Sequence, residues 1–492
     1  MSEPLHDSYS PNDVSTMGFV NAELVPLVER MEGPVDSFTM EVAIKAAARE
    51  HAIATGDLIG DFTQCPAFGV LEQKTIRQDA VRARSVLSIL RSRDEQEGSG
   101  IDAEEAALSG EIADFKVWQG VVVEASRRSS IAHANGDQRD MAFCDGLLQE
   151  GLHALYEAPT EEVAQAAASE FRPLLDTVLD ADSPVMQEAR DFVETYPFML
   201  TASDEAMQLN PTVATAISEF LVNTFGRSFQ ELREEFEELN ADNVVMVVQR
   251  LLELTGFRYQ TPGGEWAGWD SRSVDDRNGF YTNSRQETID CGKFTTIPSW
   301  EGFERLMVHE LGVHAWRTRN GRRLGDGLLE TDLPGAVDFE EALGVMFEAA
   351  WSGKEGVGRE QYRYLIASYA TGALDGQTHD KNETYKFITK LKTMELAAKR
   401  IEKGQSVDVE QLEGKARGLM FEHTFRAFRG MPAGMVMIKD TGYYGPRAGI
   451  VAFANEYADN PAELLEDLLI AKINTLNPGQ LRYTRRQASL VA

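Results

Sequence analysis

Residues 304–321 read ERLMVHELGVHAWRTRNG, and within them 309–314 read HELGVH. Two histidines four apart on a helix, with a glutamate beside the first, form a zinc-binding string; here the spacing is one residue longer. Each residue of a regular helix turns about 100°, so an i, i+4 pair sits about 40° apart, whereas His309 and His314 diverge by about 140°. They can share an ion only if the helix widens into one π-type turn, with i→i+5 hydrogen bonds. Gly312 lies inside that turn, where the backbone can depart from regular geometry without a Cβ in the way. The competing reading is an ordinary helix with two unrelated histidines. The chain holds only 8 histidines in 492 residues, so the pairing carries information.

Outward from the motif, the texture before it is that of a small sheet. FRYQTPGGEWAGWDSRS (257–273) and NGFYTNSRQETIDCGKFTTIPS (278–299) are rich in aromatic and β-branched residues, Gly and Thr, and predict short strands and turns. Ser299, after Pro298, is placed to cap a helix that carries Phe303, Leu306, Met307 and both histidines. The first half of the chain reads as helix. EVAIKAAAREHAIATG (41–56), QDAVRARSVLSILRSR (78–93) and TEEVAQAAASEFRPLLDTVLD (160–180) place apolar residues at helical spacing. RSRDEQEGSGIDAEEAALSGE (91–111) predicts a loop or hinge, LDADSPV (179–185) a break, and SFQELREEFEELNADNV (228–244) a solvated helix face. Helices return from 338 to about 428, and the Gly-rich RGMPAGMVMIKDTGYYGPRAG (429–449) reads as β-like. The expected fold class is α+β, predominantly α-helical: a helical region over 1–235, with a further division near 91–111, and a site-bearing domain over 236–492.

Composition limits the function classes. Hydrophobic residues make up 43% and charged residues 26%, as in ordinary globular proteins. The net charge of −31 disfavours nucleic acid and anionic membranes as partners, since both require basic surface. No stretch approaches the ~20 apolar residues needed to span a bilayer, and the first twenty residues lack a secretory signal pattern. Cys65, Cys144 and Cys291 form no Cys-x-x-Cys pair, which argues against a thiolate zinc site or a disulfide framework and for a reducing, cytoplasmic location. His6, His51, His133 and His153 are scattered and read as surface or packed residues.

Two imidazoles leave a zinc site incomplete. Catalytic zinc takes three protein ligands and a water, and His₂Glu is a recurrent set. VDFEEALGVMFEAA (337–350) offers Glu340 and Glu341, which point about 100° apart on a helix, so only one can face the ion. A capping box competes, with Asp338 as N-cap and Glu341 three residues on. Glu348 follows Glu341 by seven residues, about two turns, and so shares its face; it is placed to accept the outer N–H of a zinc-bound histidine.

Taken together, these features resemble the flavohaemoglobin expression-modulating QEGLA-motif family, whose animal relatives include the microtubule-associated tyrosine carboxypeptidases. The resemblance spans roughly 240–450. It rests on the His-Glu-x-x-x-His string, Asn320-Gly321 after it, and LPGAVDFEEALGVMFEAA (333–350). It also rests on Arg426-Ala427-Phe428-Arg429-Gly430, matching Arg-x-x-Arg-Gly, and Lys439-Asp440-Thr441-Gly442-Tyr443, matching Lys-Asp-x-x-Tyr. The eponymous string falls on Glu340-Glu341-Ala342-Leu343-Gly344, with Glu in place of Gln and the Gly and Ala exchanged. Trp316 and Arg317 stand where family members often carry aliphatic residues, and the acidic chain is unlike a partner for an acidic tubulin tail.

The resemblance implies a gluzincin-like zinc peptidase core holding one Zn²⁺ on His309, His314 and Glu341. In that reading Glu340 is expected to be dispensable for the metal. Glu310 becomes general base and acid, and Tyr443, in preference to Tyr444, the donor to the developing oxyanion. Arg426, Arg429 and Lys439 are placed to hold a free α-carboxylate. The implied function is a zinc carboxypeptidase removing a C-terminal residue, tyrosine or another aromatic, from a peptide or protein. The alternatives are a zinc endopeptidase or amidase, and a non-catalytic zinc-binding regulatory protein.

Overall fold

Alanine-rich, charge-spaced segments dominate the first 235 residues, and they fold as helices. The computed structural model describes residues 42–58, 70–94, 103–182, 184–201, 208–275, 279–292, 299–329, 332–353, 359–432 and 434–491. The chain is predominantly helical with two small sheets. Among the described residues no helix is long and apolar enough to cross a membrane. Helices Val70–Asp94, Ala103–Asn135 and Gln138–Leu155 pack side by side. Residues 160–180 divide into Glu161–Ser169 and Arg172–Leu179, the second started by Pro173, whose missing N–H costs nothing at a helix entry.

Three elements differ from the sequence reading. Residues 103–111 are not a loop: they open the helix Ala103–Asn135 and bury Leu108 and Ser109, while 95–102 lie outside the described residues. The charged run 228–244 is not one helix: Arg227–Glu235 ends at Phe236, and the next helix, Val244–Leu254, begins only at the last residue of the run. Among its described residues the segment 429–449 forms no strand. Its apolar run Val436, Met437 and Ile438 is buried without alternation, the one pattern that periodicity cannot assign. The Met437 N–H donates to the Ala427 carbonyl (2.7 Å), and Thr441 Oγ1 donates to the Ile438 carbonyl (2.5 Å). The result is a 3₁₀ turn, Ile438–Tyr443, followed by the helix Gly445–Glu456 with Pro446 in its first turn.

The strands fall in the segments expected, except that β3 runs one residue beyond the first of them. β1 (Arg258–Gln260) and β2 (Trp266–Gly268) form an antiparallel hairpin. β3 (Asp270–Val274), β4 (Phe280–Asn283) and β5 (Thr288–Gly292) form a second sheet in the order β3-β5-β4, parallel between β3 and β5 and antiparallel between β4 and β5. β4 is therefore an edge strand, and Thr282 sits opposite Ile289. Pro298 and 293–298 lie outside the described residues. Ser299 caps the next helix, Trp300–His309, by accepting the Gly302 N–H (3.3 Å).

Burial ties distant parts of the chain together. One core joins Ala52, Leu152, Phe171 and Phe192 to Leu365, Phe387 and Phe421. A second joins Val213, Phe225, Phe229 and Val248 to Ile289, Phe303, Met307, Phe339 and Leu464. The helices before residue 235 thus share an interior with the sheet and the histidine helix, which makes the frame of the site a product of both halves.

Candidate metal centre

The helix Trp300–His309 continues into a π-helical turn, Glu310–Ala315, and then into Trp316–Arg323. The wider turn brings the two imidazoles onto one face, with ring centroids 5.0 Å apart. Gly312 contributes differently from expected. Its φ is not among the positive ones, and a Cβ there would lie 3.2 Å from the Phe225 ring. Its value is close packing against a fully buried phenylalanine, not conformational freedom.

The second helix, Ala336–Ser352, starts behind Gly335 without a side-chain cap, so Asp338 and Glu341 do not form a capping box. Glu341 instead faces the histidines. Its carboxylate oxygens lie 3.5 Å from His309 Nε2 and 3.9 Å from His314 Nε2, and one donor atom from each of the three residues falls within 4.8 Å of the others. Tetrahedral zinc at about 2.0–2.2 Å from each ligand puts ligand atoms roughly 3.3–3.5 Å apart, close to the separations here. Gly344 makes room: a Cβ at that position would meet the His309 ring at 2.5–2.8 Å.

Both outer ring nitrogens are held by carboxylates. His309 Nδ1 lies 2.7 Å from Glu348, and His314 Nδ1 lies 3.0 Å from Glu340. A carboxylate at Nδ1 accepts that N–H and leaves the Nε2 lone pair pointing at Glu341, the tautomer a metal requires. Arg305 fixes Glu348 from its other oxygen at 3.0 Å. Burial alone would depress the His309 pKa, but the Glu341 and Glu348 carboxylates outweigh it and hold the pKa well above its ordinary value.

Glu340 is not one of the three donors, but it has a place of its own behind His314. It is 1% exposed, and Lys472 (3.3 Å) and Arg317 (3.6 Å) surround it. Lys472 also pairs with Asp332 (2.8 Å) and donates to Ser284 Oγ (3.0 Å). Burial opposes ionisation of Glu340, yet these cations bring its pKa down to about 2. The outer carboxylate of His314 is therefore a permanently charged member of a buried network. Sequence reasoning missed Lys472, Asp332 and Arg317; the only signal was charged residues inside otherwise apolar runs, such as Lys472 in 468–473.

Glu310 feels the charges of His309, His314 and Glu341 but is not one of the three donors. Thr282 of edge strand β4 donates to one Glu310 oxygen from its backbone N–H (2.9 Å) and from its hydroxyl (2.7 Å). Burial raises the Glu310 pKa, with His314 and His309 opposing. No motif marked Thr282, because it lies 28 residues upstream on another element.

Tyr443 and Tyr444 separate clearly. Tyr443 lies close enough to Glu341 for that carboxylate to be the main cause of its raised pKa, with burial second. The Arg363 guanidinium stacks 4.8 Å from its ring centre. Tyr444 is fully buried and donates its hydroxyl to Glu170 (2.7 Å), away from the triad. Arg426 pairs with Asp440 at 2.7 Å; burial raises the pKa of Asp338, one turn before Glu341, and the Lys439 charge opposes that shift. Arg429 is half-buried and forms the C-cap of the helix Val409–Phe428. Arg363 escaped sequence reading, since a lone arginine in an amphipathic helix has no local mark. Comparison with family models, with curated proteins and with solved structures finds no match for this chain.

Proposed function

We propose that the chain is a zinc-dependent peptidase with a gluzincin-like core, acting as a carboxypeptidase on peptide or protein C-termini, as its resemblance to the QEGLA-motif family implies. The observation that carries this reading is Glu310. It lies near three zinc-type donors without being one of them, and Thr282 holds one of its oxygens with two hydrogen bonds. A purely structural zinc site normally closes with four protein ligands and has no use for a spare buried carboxylate.

His309, His314 and Glu341 would hold the ion. When bound, zinc supplies Lewis acidity, lowering the pKa of a water toward about 7 and polarising a carbonyl. Glu310 takes the proton of the attacking water and later delivers it to the leaving amine; its burial-raised pKa suits both halves of that task. Tyr443 keeps its proton at neutral pH and donates it as a hydrogen bond to the developing oxyanion. Arg363 and Arg426, whose charges act on Tyr443, and Lys439, whose charge acts on Asp338 one turn before Glu341, supply positive charge for a terminal carboxylate. An endopeptidase is the second reading. It is favoured by the existing Arg426–Asp440 pair, with which a carboxylate would have to compete.

The test uses zinc-loaded protein and matched peptides with free or amidated C-termini, with products read by mass spectrometry. The expected result is loss of single residues from free termini only. Equal cleavage of both forms makes the protein an endopeptidase. No cleavage by a zinc-replete protein overturns the enzymatic reading in favour of a regulatory zinc-binding protein.

A further inference from the structure

A cavity of about 190 Å³ lies between the two halves of the chain, beside the candidate metal centre. Helices of the first half give one wall, through Leu155 and Val163; the start of the Glu341 helix gives another, through Asp338; the 3₁₀ turn closes it at Gly442. Its size is well below the ~300–1,000 Å³ of sites for drug-sized ligands, so it suits a single side chain. Asp338 lies one helical turn before Glu341, and Gly442 immediately precedes Tyr443. The cavity is thus built from the same two elements that would hold the metal and the oxyanion. A Cβ on Gly442 would collide with the Asp338 carboxyl group, so the glycine keeps that carboxyl in its place.

The lining has one sign. Asp338 and Glu157 both face it, and no lysine or arginine is among the described residues that line it. Among the described residues, no hydrogen bond or ion pair engages the Asp338 carboxyl group, which is half-buried in the cavity wall. Glu157, by contrast, is exposed and sits at the rim. Burial lifts Asp338 to about 7, and Lys439 opposes the shift. A cation held against the carboxyl group favours its ionised form and satisfies it. The apolar walls, Leu155, Val163 and Leu476, match the methylene stem of a long basic side chain.

We propose that this cavity is the pocket for the side chain of the C-terminal residue, and that it selects lysine or arginine through Asp338, with Glu157 attracting the cation at the rim. The inference rests on the carboxypeptidase reading for its place in the reaction. Lys439, beside Asp338, would then read the α-carboxylate of the same residue whose side chain enters the pocket. It also assigns a task to the helical first half, which supplies a wall of the pocket.

The experiment has two arms. In the first, zinc-loaded protein meets peptides that differ only in the last residue: Arg, Lys, Tyr, Phe, Leu or Glu. The expected kcat/KM for Arg and Lys is roughly tenfold or more above the others, a preference that Asp338→Asn removes. Glu157→Lys, at an exposed position with no fold to disturb, should cut the preference several-fold and decides the matter if Asp338→Asn does not fold. Cleavage with a flat or aromatic preference overturns the pocket while leaving the peptidase reading intact. In the second arm Nα-acetyl-L-arginine is titrated calorimetrically into the same proteins. Binding that Glu157→Lys weakens supports the pocket even if no peptide is cut, in which case only the enzymatic reading fails. Absence of binding, or binding indifferent to both variants, overturns the pocket whatever the activity.

Discussion

His314 Nδ1 lies 3.0 Å from a Glu340 carboxylate oxygen, and that carboxylate is itself buried between Lys472 and Arg317. The adjacent Glu341 approaches the opposite nitrogen of the same ring, at 3.9 Å from Nε2. Two neighbouring glutamates thus address one imidazole from its two sides, which a helix permits because consecutive side chains diverge by about 100°.

The two glutamates should fail differently. Glu341→Gln removes a donor and should strip the zinc. Glu340→Gln should retain a zinc site weakened by about 10–100-fold, the usual cost of losing an outer partner. It should also destabilise the fold by about 3–5 kcal/mol, because Lys472 and Arg317 lose their buried counter-charge. Chelator-competition titration and denaturant unfolding separate the two effects. Normal stability and affinity in Glu340→Gln would show that the buried network does not support His314.

Gly344 offers a test that touches no ligand. A Cβ there meets the His309 ring at 2.5–2.8 Å, and the ring is held at Nδ1 by Glu348, one turn further along the same helix. Gly344→Ala should therefore push His309 out of line and lower zinc affinity by roughly tenfold or more, with an overpacking cost of about 1–3 kcal/mol. Elemental analysis after dialysis against a weak chelator reads the loss. Full zinc retention contradicts the placement of His309 as a ligand.

Glu310→Gln should keep zinc and fold while activity falls by at least the ~10²–10⁴-fold typical of a positioned acid–base group. Thr282→Val should fall between this variant and the parent. It loses the hydroxyl bond at 2.7 Å but keeps the backbone bond at 2.9 Å. A Thr282→Val enzyme that has lost its zinc would mean the threonine supports the ligands and not Glu310.

The site was legible in the sequence wherever its parts repeat on one helix. The i, i+5 histidines demanded a π-turn, and the turn occupies Glu310–Ala315. The seven-residue step from Glu341 to Glu348 placed both on one face, and Glu348 bonds His309. What could not be read is what arrives from elsewhere. Thr282 comes from an edge strand and Lys472 from a stretch 132 residues after Glu340; a single chain gives no register between such elements. The fold class was legible from periodicity, whereas 429–449 was not. Glycines and a short apolar run look the same in a strand and in a buried 3₁₀ turn, and the choice was made by Ala427 and the Arg426–Asp440 pair.

Tyr443 and Tyr444 are adjacent, and substituting each for phenylalanine should give opposite results. Tyr443 feels the Glu341 charge and lies under the Arg363 guanidinium, and among the described residues no hydrogen bond takes its hydroxyl. Tyr443→Phe should leave zinc content and thermal stability near parental values and lower kcat by up to about 10²–10³-fold, the range for one oxyanion donor. The Tyr444 hydroxyl donates to Glu170, which also receives Arg447 (3.1 Å) and Gln361 (2.6 Å). That bond joins the first half of the chain to the segment carrying Tyr443. Tyr444→Phe removes a hydrogen bond to a charged acceptor and should cost about 1.5–3 kcal/mol of stability, with kcat reduced far less than in Tyr443→Phe. Differential scanning calorimetry and steady-state kinetics on the two variants decide the assignment. If Tyr444→Phe loses activity at full stability and Tyr443→Phe does not, the two roles are exchanged.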